Sequence, residues 1–79
     1  VNIYANPATD NIYINLSDEI FNTASCSYQL FDIMGREVNT GIVSKENQLL
    51  DISSIPEGIY FLNIYANNEL LNIQKIVKQ

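Results

Sequence analysis

Along almost the whole chain apolar residues recur at every second position, and that period restricts the chain to strands. Asn11-Ile12-Tyr13-Ile14-Asn15-Leu16 shows it most clearly: Ile12, Ile14 and Leu16 share one face, Asn11, Tyr13 and Asn15 the other. Val1-Asn2-Ile3-Tyr4 alternates likewise, up to the turn chemistry of Asn6-Pro7. Cys26, Tyr28 and Leu30 mark a further inward face. Asp32-Ile33-Met34-Gly35 turns that strand, with Gly35 expected at positive φ. Arg36 to Val43 returns, and Gly41 is expected to be a bulge or bend. Gln48 to Ile52 follows, and Ser53 to Gly58 then crosses over, with Ile55 expected to plug the core. Ile59 to Tyr65 is the most hydrophobic stretch and reads as a central strand. Asn67-Asn68 reads as a primed hairpin turn. Glu69 to Lys78 reads as a final strand whose two conflicting parities a bulge would reconcile. Residues 17–24 read as a polar connection in which Ile20 and Phe21 cover one end of the core, and no stretch reads as a helix. About seven short strands, with turn signals every 8–12 residues or so, predict an all-β fold: an immunoglobulin-like antiparallel β-sandwich.

The chain has 79 residues, which bounds it to one domain over 1–79. It is 47% hydrophobic, enough to fill a core. At this size the net stability is only about 3–5 kcal/mol. Cys26 is the single cysteine, so no internal disulfide adds to that margin, and it reads as a small core hydrophobe. The chain opens on Val1 rather than Met and reads as a piece of a larger protein.

Charge and residue types exclude several functions. Four basic residues against nine acidic ones give a net charge of −5, the wrong sign for a nucleic-acid partner. The distribution is uneven: residues 1–74 hold two basic and nine acidic residues, while Lys75 and Lys78 form a basic end without an acid. No apolar run approaches the roughly 20 residues of a transmembrane segment. There is no histidine, so triad and Cys/His catalysis are ruled out, and Cys26 has no base to activate it. Asp10, Asp18, Glu19, Asp32, Glu37, Glu46, Asp51, Glu57 and Glu69 mostly fall in or beside turns, where carboxylates are solvated. No catalytic residue, cofactor or metal site is therefore expected. Turn oxygens near Asp10, or at Asn67, Asn68 and Glu69, leave calcium open without any EF-hand-like spacing. Asn15-Leu16-Ser17 matches the glycosylation acceptor pattern at a strand end.

Four segments, in order, carry a resemblance. Val1-Asn2-Ile3-Tyr4-Ala5-Asn6-Pro7-Ala8-Thr9-Asp10 is similar to an "iyPNPasd" opening, with Ala5 where Pro is usual. Tyr28 to Val38, containing Asp32-Ile33-Met34-Gly35-Arg36, is similar to a "v-iyD--Gr-v" hairpin. Leu50 to Leu62, containing Ile55-Pro56-Glu57-Gly58-Ile59-Tyr60, is similar to an "idlssLpaGiYfl" crossover. Gln74-Lys75-Ile76-Val77-Lys78-Gln79 is similar to a closing "kkivk". Together these segments resemble the C-terminal sorting domain of type IX secretion system cargo proteins.

The resemblance implies an immunoglobulin-like sandwich that acts as a folded secretion signal. Its cargo, fused upstream, reaches the periplasm by its own signal peptide, and an outer-membrane translocon recognises the domain. A sortase-like cysteine peptidase at the cell surface then cuts upstream of it, and the cargo is released or attached to anionic lipopolysaccharide. On this reading the domain is a substrate and catalyses nothing. The terminal Lys75, Ile76, Val77, Lys78 and Gln79 offer two cations, an apolar pair and a carboxylate for recognition. At a sheet edge, their unpaired backbone could also be read by strand addition. Asn6, Pro7, Asp32, Gly35, Gly58 and Tyr60 are expected to serve the fold and its turns. An adhesive or carbohydrate-binding β-sandwich module is the alternative. In either case an edge strand of so small a domain offers itself to a second copy.

Overall fold

A computed structural model describes residues 1–4 and 7–79. Seven strands and one short helix follow in the order β1 (Asn2–Tyr4), β2 (Asn11–Asn15), α1 (Asp18–Thr23), β3 (Cys26–Asp32), β4 (Glu37–Ile42), β5 (Asn47–Asp51), β6 (Gly58–Ala66) and β7 (Glu69–Lys78). They form a three-stranded sheet, β1-β2-β5, and a four-stranded sheet, β4-β3-β6-β7. All ladders between these strands are antiparallel. The fold is the all-β sandwich that the alternation predicts.

Alternation builds the core because each strand gives one face to it. Ile12 and Ile14 come from β2, Leu50 from β5 and Ile52 from just after it. Leu30, Leu62, Ile64 and Ile76 come from the facing sheet, and all are buried. Full burial of each such side chain stabilises by about 1.5–3 kcal/mol. Ile55 packs against this cluster from the crossover, as do Ile20 and Phe21 from the other end.

Residues 17–24 depart from the expectation of a polar connection without helix. Asp18–Thr23 is helical, capped by Ser17, whose side chain accepts from the Ile20 N–H at 3.3 Å, with Asp18 and Glu19 in the first turn.

Gly41 is not the bulge. It pairs squarely with Tyr28, and the irregularity of this hairpin falls at Val38, between the Leu30↔Asn39 and Phe31↔Glu37 pairs. Gly41 is glycine because a Cβ there would meet the Tyr28 ring at 2.7–2.9 Å. The second expected bulge is present, β7 slipping against β6 between Ile64 and Tyr65, but it does not reconcile the two parities: Ile76 faces the core, Ile73 and Val77 lie on the opposite face, and Leu70 and Leu71 are exposed. Asn67 and Asn68, at φ 51° and 68°, form the primed turn between these strands.

The connections place the chain ends apart. β2 passes through α1 to β3, and β4 to β5, at one pole of the sandwich; β5 crosses to β6 at the other. Val1 therefore lies at the pole of α1 and the Asn67-Asn68 turn. Gln79 lies at the opposite pole, with the Asp32–Arg36 turn and the Ser53–Gly58 crossover.

Candidate recognition site at the C-terminal strand

β7 is an edge strand of the four-stranded sheet. Its last five residues nevertheless differ in what they expose. Ile76 pairs with Tyr60 and faces the core, 1% exposed. Lys75 and Val77 lie on the opposite, outer face, paired with Phe61 and Ile59. Lys78 shares the parity of Ile76 but sits at the sheet's end opposite Gly58, where its Nζ donates to the Gln79 carbonyl at 3.4 Å. The two lysines thus emerge on different faces of the strand, one on the sheet and one at the pole.

The backbone here is not an open edge. The Ala8 N–H donates to the Val77 carbonyl at 2.8 Å, and the Gln79 N–H donates to the Ala8 carbonyl at 2.7 Å. This parallel bridge between Ala8 and Lys78 ties the segment after β1 to the far edge of the other sheet. Lys75 and Val77 are engaged in further contacts. Strand addition at residues 77–79 would have to displace Ala8, which corrects the expectation of an unpaired backbone there. Ala8 was not singled out in the sequence, because a backbone bridge leaves no residue-type signature.

The turn residues gather around the same pole. Asp32 Oδ1 accepts from the Met34 and Arg36 N–H groups, both at 2.9 Å, and its Oδ2 meets Arg36 Nε at 2.9 Å. Gly35 has φ +83°, the left-handed position the turn requires. The Tyr60 hydroxyl donates to the Pro56 carbonyl at 2.7 Å, which fixes the crossover onto β6. Gly58, at φ +150°, opens β6 opposite Lys78. Pro7 lies exposed in a bend just before Ala8, and Asn6 lies outside the described residues. A cleft of about 490 Å³ runs between the turn and the crossover, bordered by Asp32, Met34, Arg36, Pro56, Gly58 and Tyr60.

The Asp32 carboxyl is held below its ordinary value of 3.8, first by the Arg36 N–H and then, against some desolvation, by the Arg36 side chain and charge and the Met34 N–H. Asp51 is lowered in the same way by Ser53. A carboxyl lowered on folding stabilises the fold above its unfolded value, and that contribution is lost as pH falls through the folded value. Glu46, raised by its hydrogen bond to Asp18, works in the opposite sense, adding stability as pH falls. With two lowered carboxyls against one raised, the thermal midpoint should fall as pH drops from about 5 to about 3. Asp32→Asn should flatten that fall; an equally steep curve in the variant would show that Asp32 does not contribute to it.

Among the described residues no three or more His, Cys, Asp or Glu side chains gather to hold a metal ion. No helix there is long and apolar enough to cross a membrane. What the fold and this surface define is a small β-sandwich whose terminal strand ends at a turn-lined pole. Residues 2–79 match the family described as the secretion system C-terminal sorting domain, and the chain belongs to it. No curated protein matches the chain. Family membership makes the chain a C-terminal sorting signal of type IX secretion, which implies an upstream cargo and export to the cell surface or beyond. Nothing favours the adhesive or carbohydrate-binding alternative.

Proposed function

We propose that residues 1–79 act as a single sorting domain whose C-terminal pole is read by the outer-membrane translocon while the cargo is in the periplasm. Lys75 and Lys78 supply the cations, Val77 an apolar contact on the outer face, and Gln79 a polar side chain. Ile76 holds the strand in place from the core side. After export, a sortase-like peptidase cuts upstream of the domain, which is itself no enzyme. The observation that carries this reading is the placement of the chain ends at opposite poles: a cargo joined before Val1 leaves the terminal strand uncovered.

Deleting Lys75–Gln79 would also remove Ile76 from the core, so point substitutions make the cleaner test. Lys75→Ser with Lys78→Ser, behind a signal peptide and a reporter, should leave the folded domain's circular dichroism unchanged. Surface delivery should fall about tenfold, the loss of about 1.4 kcal/mol of binding. Undiminished delivery by the folded variant would rule out the two lysines as determinants.

A further inference from the structure

The edges of the two sheets are protected unequally. On β7 the Lys75 carbonyl accepts from Gln74 Nε2 at 3.3 Å, and Ala8 covers the end of the strand. On β5 the Leu49 carbonyl accepts from Gln48 Nε2 at 3.1 Å, and Asp51 adds a charge. β1 is only three residues long. Short strands, charges and capped carbonyls are the devices that stop sheets from joining edge to edge.

β4 lacks them. The Val43 N–H donates to the Cys26 carbonyl at 2.9 Å, and the Tyr28↔Gly41 and Leu30↔Asn39 pairs continue that ladder. Because bonding alternates along an antiparallel strand, Thr40 and Ile42 turn their N–H and C=O groups away from β3. Among the described residues no side chain caps them. Val38 to Val43 contains no charge and no proline. Ile42 is 75% exposed and Val38 38%.

We propose that β4 is the docking edge for a second copy of this chain, the two β4 strands pairing antiparallel about a two-fold axis at Thr40. In that register Thr40 faces Thr40, and Val38 of each copy faces Ile42 of the other, which gives self-complementary cross-strand pairs. Glu37 falls opposite Val43, away from its own copy. Two chains of net charge −5 repel each other, but in this register the one charge of β4, Glu37, lies at each end of the seam and no charge faces another. Pairing there doubles the four-stranded sheet and leaves β7 at both outer rims, so the C-terminal poles stay uncovered.

Sedimentation equilibrium of the 79-residue chain over a concentration series tests this, with circular dichroism checking each variant's fold. The wild type should show a reversible dimer. Thr40→Lys and Thr40→Glu each set like charges face to face and should weaken it about tenfold or more. Mixing the two variants in equal amounts should restore it. Thr40→Val loses the same hydroxyl bond to the Tyr28 carbonyl without adding charge and should retain the dimer, as should Ile73→Lys on β7. If a Thr40 charge variant does not fold, Val38→Lys and Ile42→Glu replace the pair: position 38 of one copy faces position 42 of the other, so mixing these two variants should form the opposite-charge pair and strengthen the dimer relative to either alone. A wild type monomeric throughout, a dimer indifferent to both charges, no rescue on mixing, or loss of the dimer in Thr40→Val or Ile73→Lys would each overturn the proposal.

Discussion

Ile76→Ala should leave the chain largely unfolded at room temperature, while Lys78→Ser two residues on should melt like the wild type. The two positions share a strand face, yet Ile76 is 1% exposed and packed in the core, whereas Lys78 lies half-buried at the sheet's end. Truncating a buried isoleucine costs about 2–5 kcal/mol, the lost transfer energy plus the cavity left behind. A chain of this size holds only about 3–5 kcal/mol in total, so the substitution removes most of it. Urea unfolding followed by circular dichroism reads the difference directly. A well-folded Ile76→Ala variant would mean that the core collapses around the gap and that β7 is held mainly by its backbone. The contrast also bears on secretion: an Ile76 variant that fails to export reports loss of fold, so only the lysine substitutions report on recognition.

Much of this architecture is legible in the alternation, because a sandwich strand gives one face to the core and β2 shows nothing else. The places where the sequence misleads are those where a partner elsewhere in the chain decides. A glycine within a strand signals either a bulge or a close approach, and only the pairing of Gly41 with Tyr28 distinguishes them. The bulge at Val38 carries no glycine and no marker, since register belongs to two strands and not to one. α1 is too short to show a helical period; its trace in the sequence is the cap, Ser17 followed by Asp18 and Glu19. In β7 apolar residues stand at both parities even in the regular stretch, Ile73 and Val77 against Ile76, so the strand alone does not say which of Ile76 and Val77 faces inward. The pole itself is legible as a set of turns, Asp32 to Arg36 and Pro56 to Gly58. Their convergence on the end of β7 is a matter of topology.

Ala8 is where the second large effect is expected. It is 1% exposed, it belongs to the core cluster, and its backbone bonds to both Val77 and Gln79. One small residue therefore joins the two sheets at the pole where recognition is proposed. Ala8→Asp would place a carboxylate at this core position, at an effective cost of several kcal/mol when ionised. That is about the whole stability of so small a chain, so the variant should be unfolded at neutral pH. Protonation removes most of the cost. Burial raises the folded value of this carboxyl above its unfolded one, so the variant's stability is greatest below the unfolded value and is lost as pH rises. Its thermal midpoint should therefore climb as pH falls from about 7 to about 4.5, a range in which the wild type changes little. Ala8→Ser, which adds a hydroxyl without a charge, should stay folded throughout. If Ala8→Asp is folded at neutral pH, hydrogen exchange decides between two accounts. Fast exchange confined to the Gln79 N–H, with β6 and the rest of β7 protected, would mean that the bridge opens and the terminal strand stays docked without it. Protection at Gln79 equal to the wild type would mean that Ala8 is less enclosed than its burial indicates.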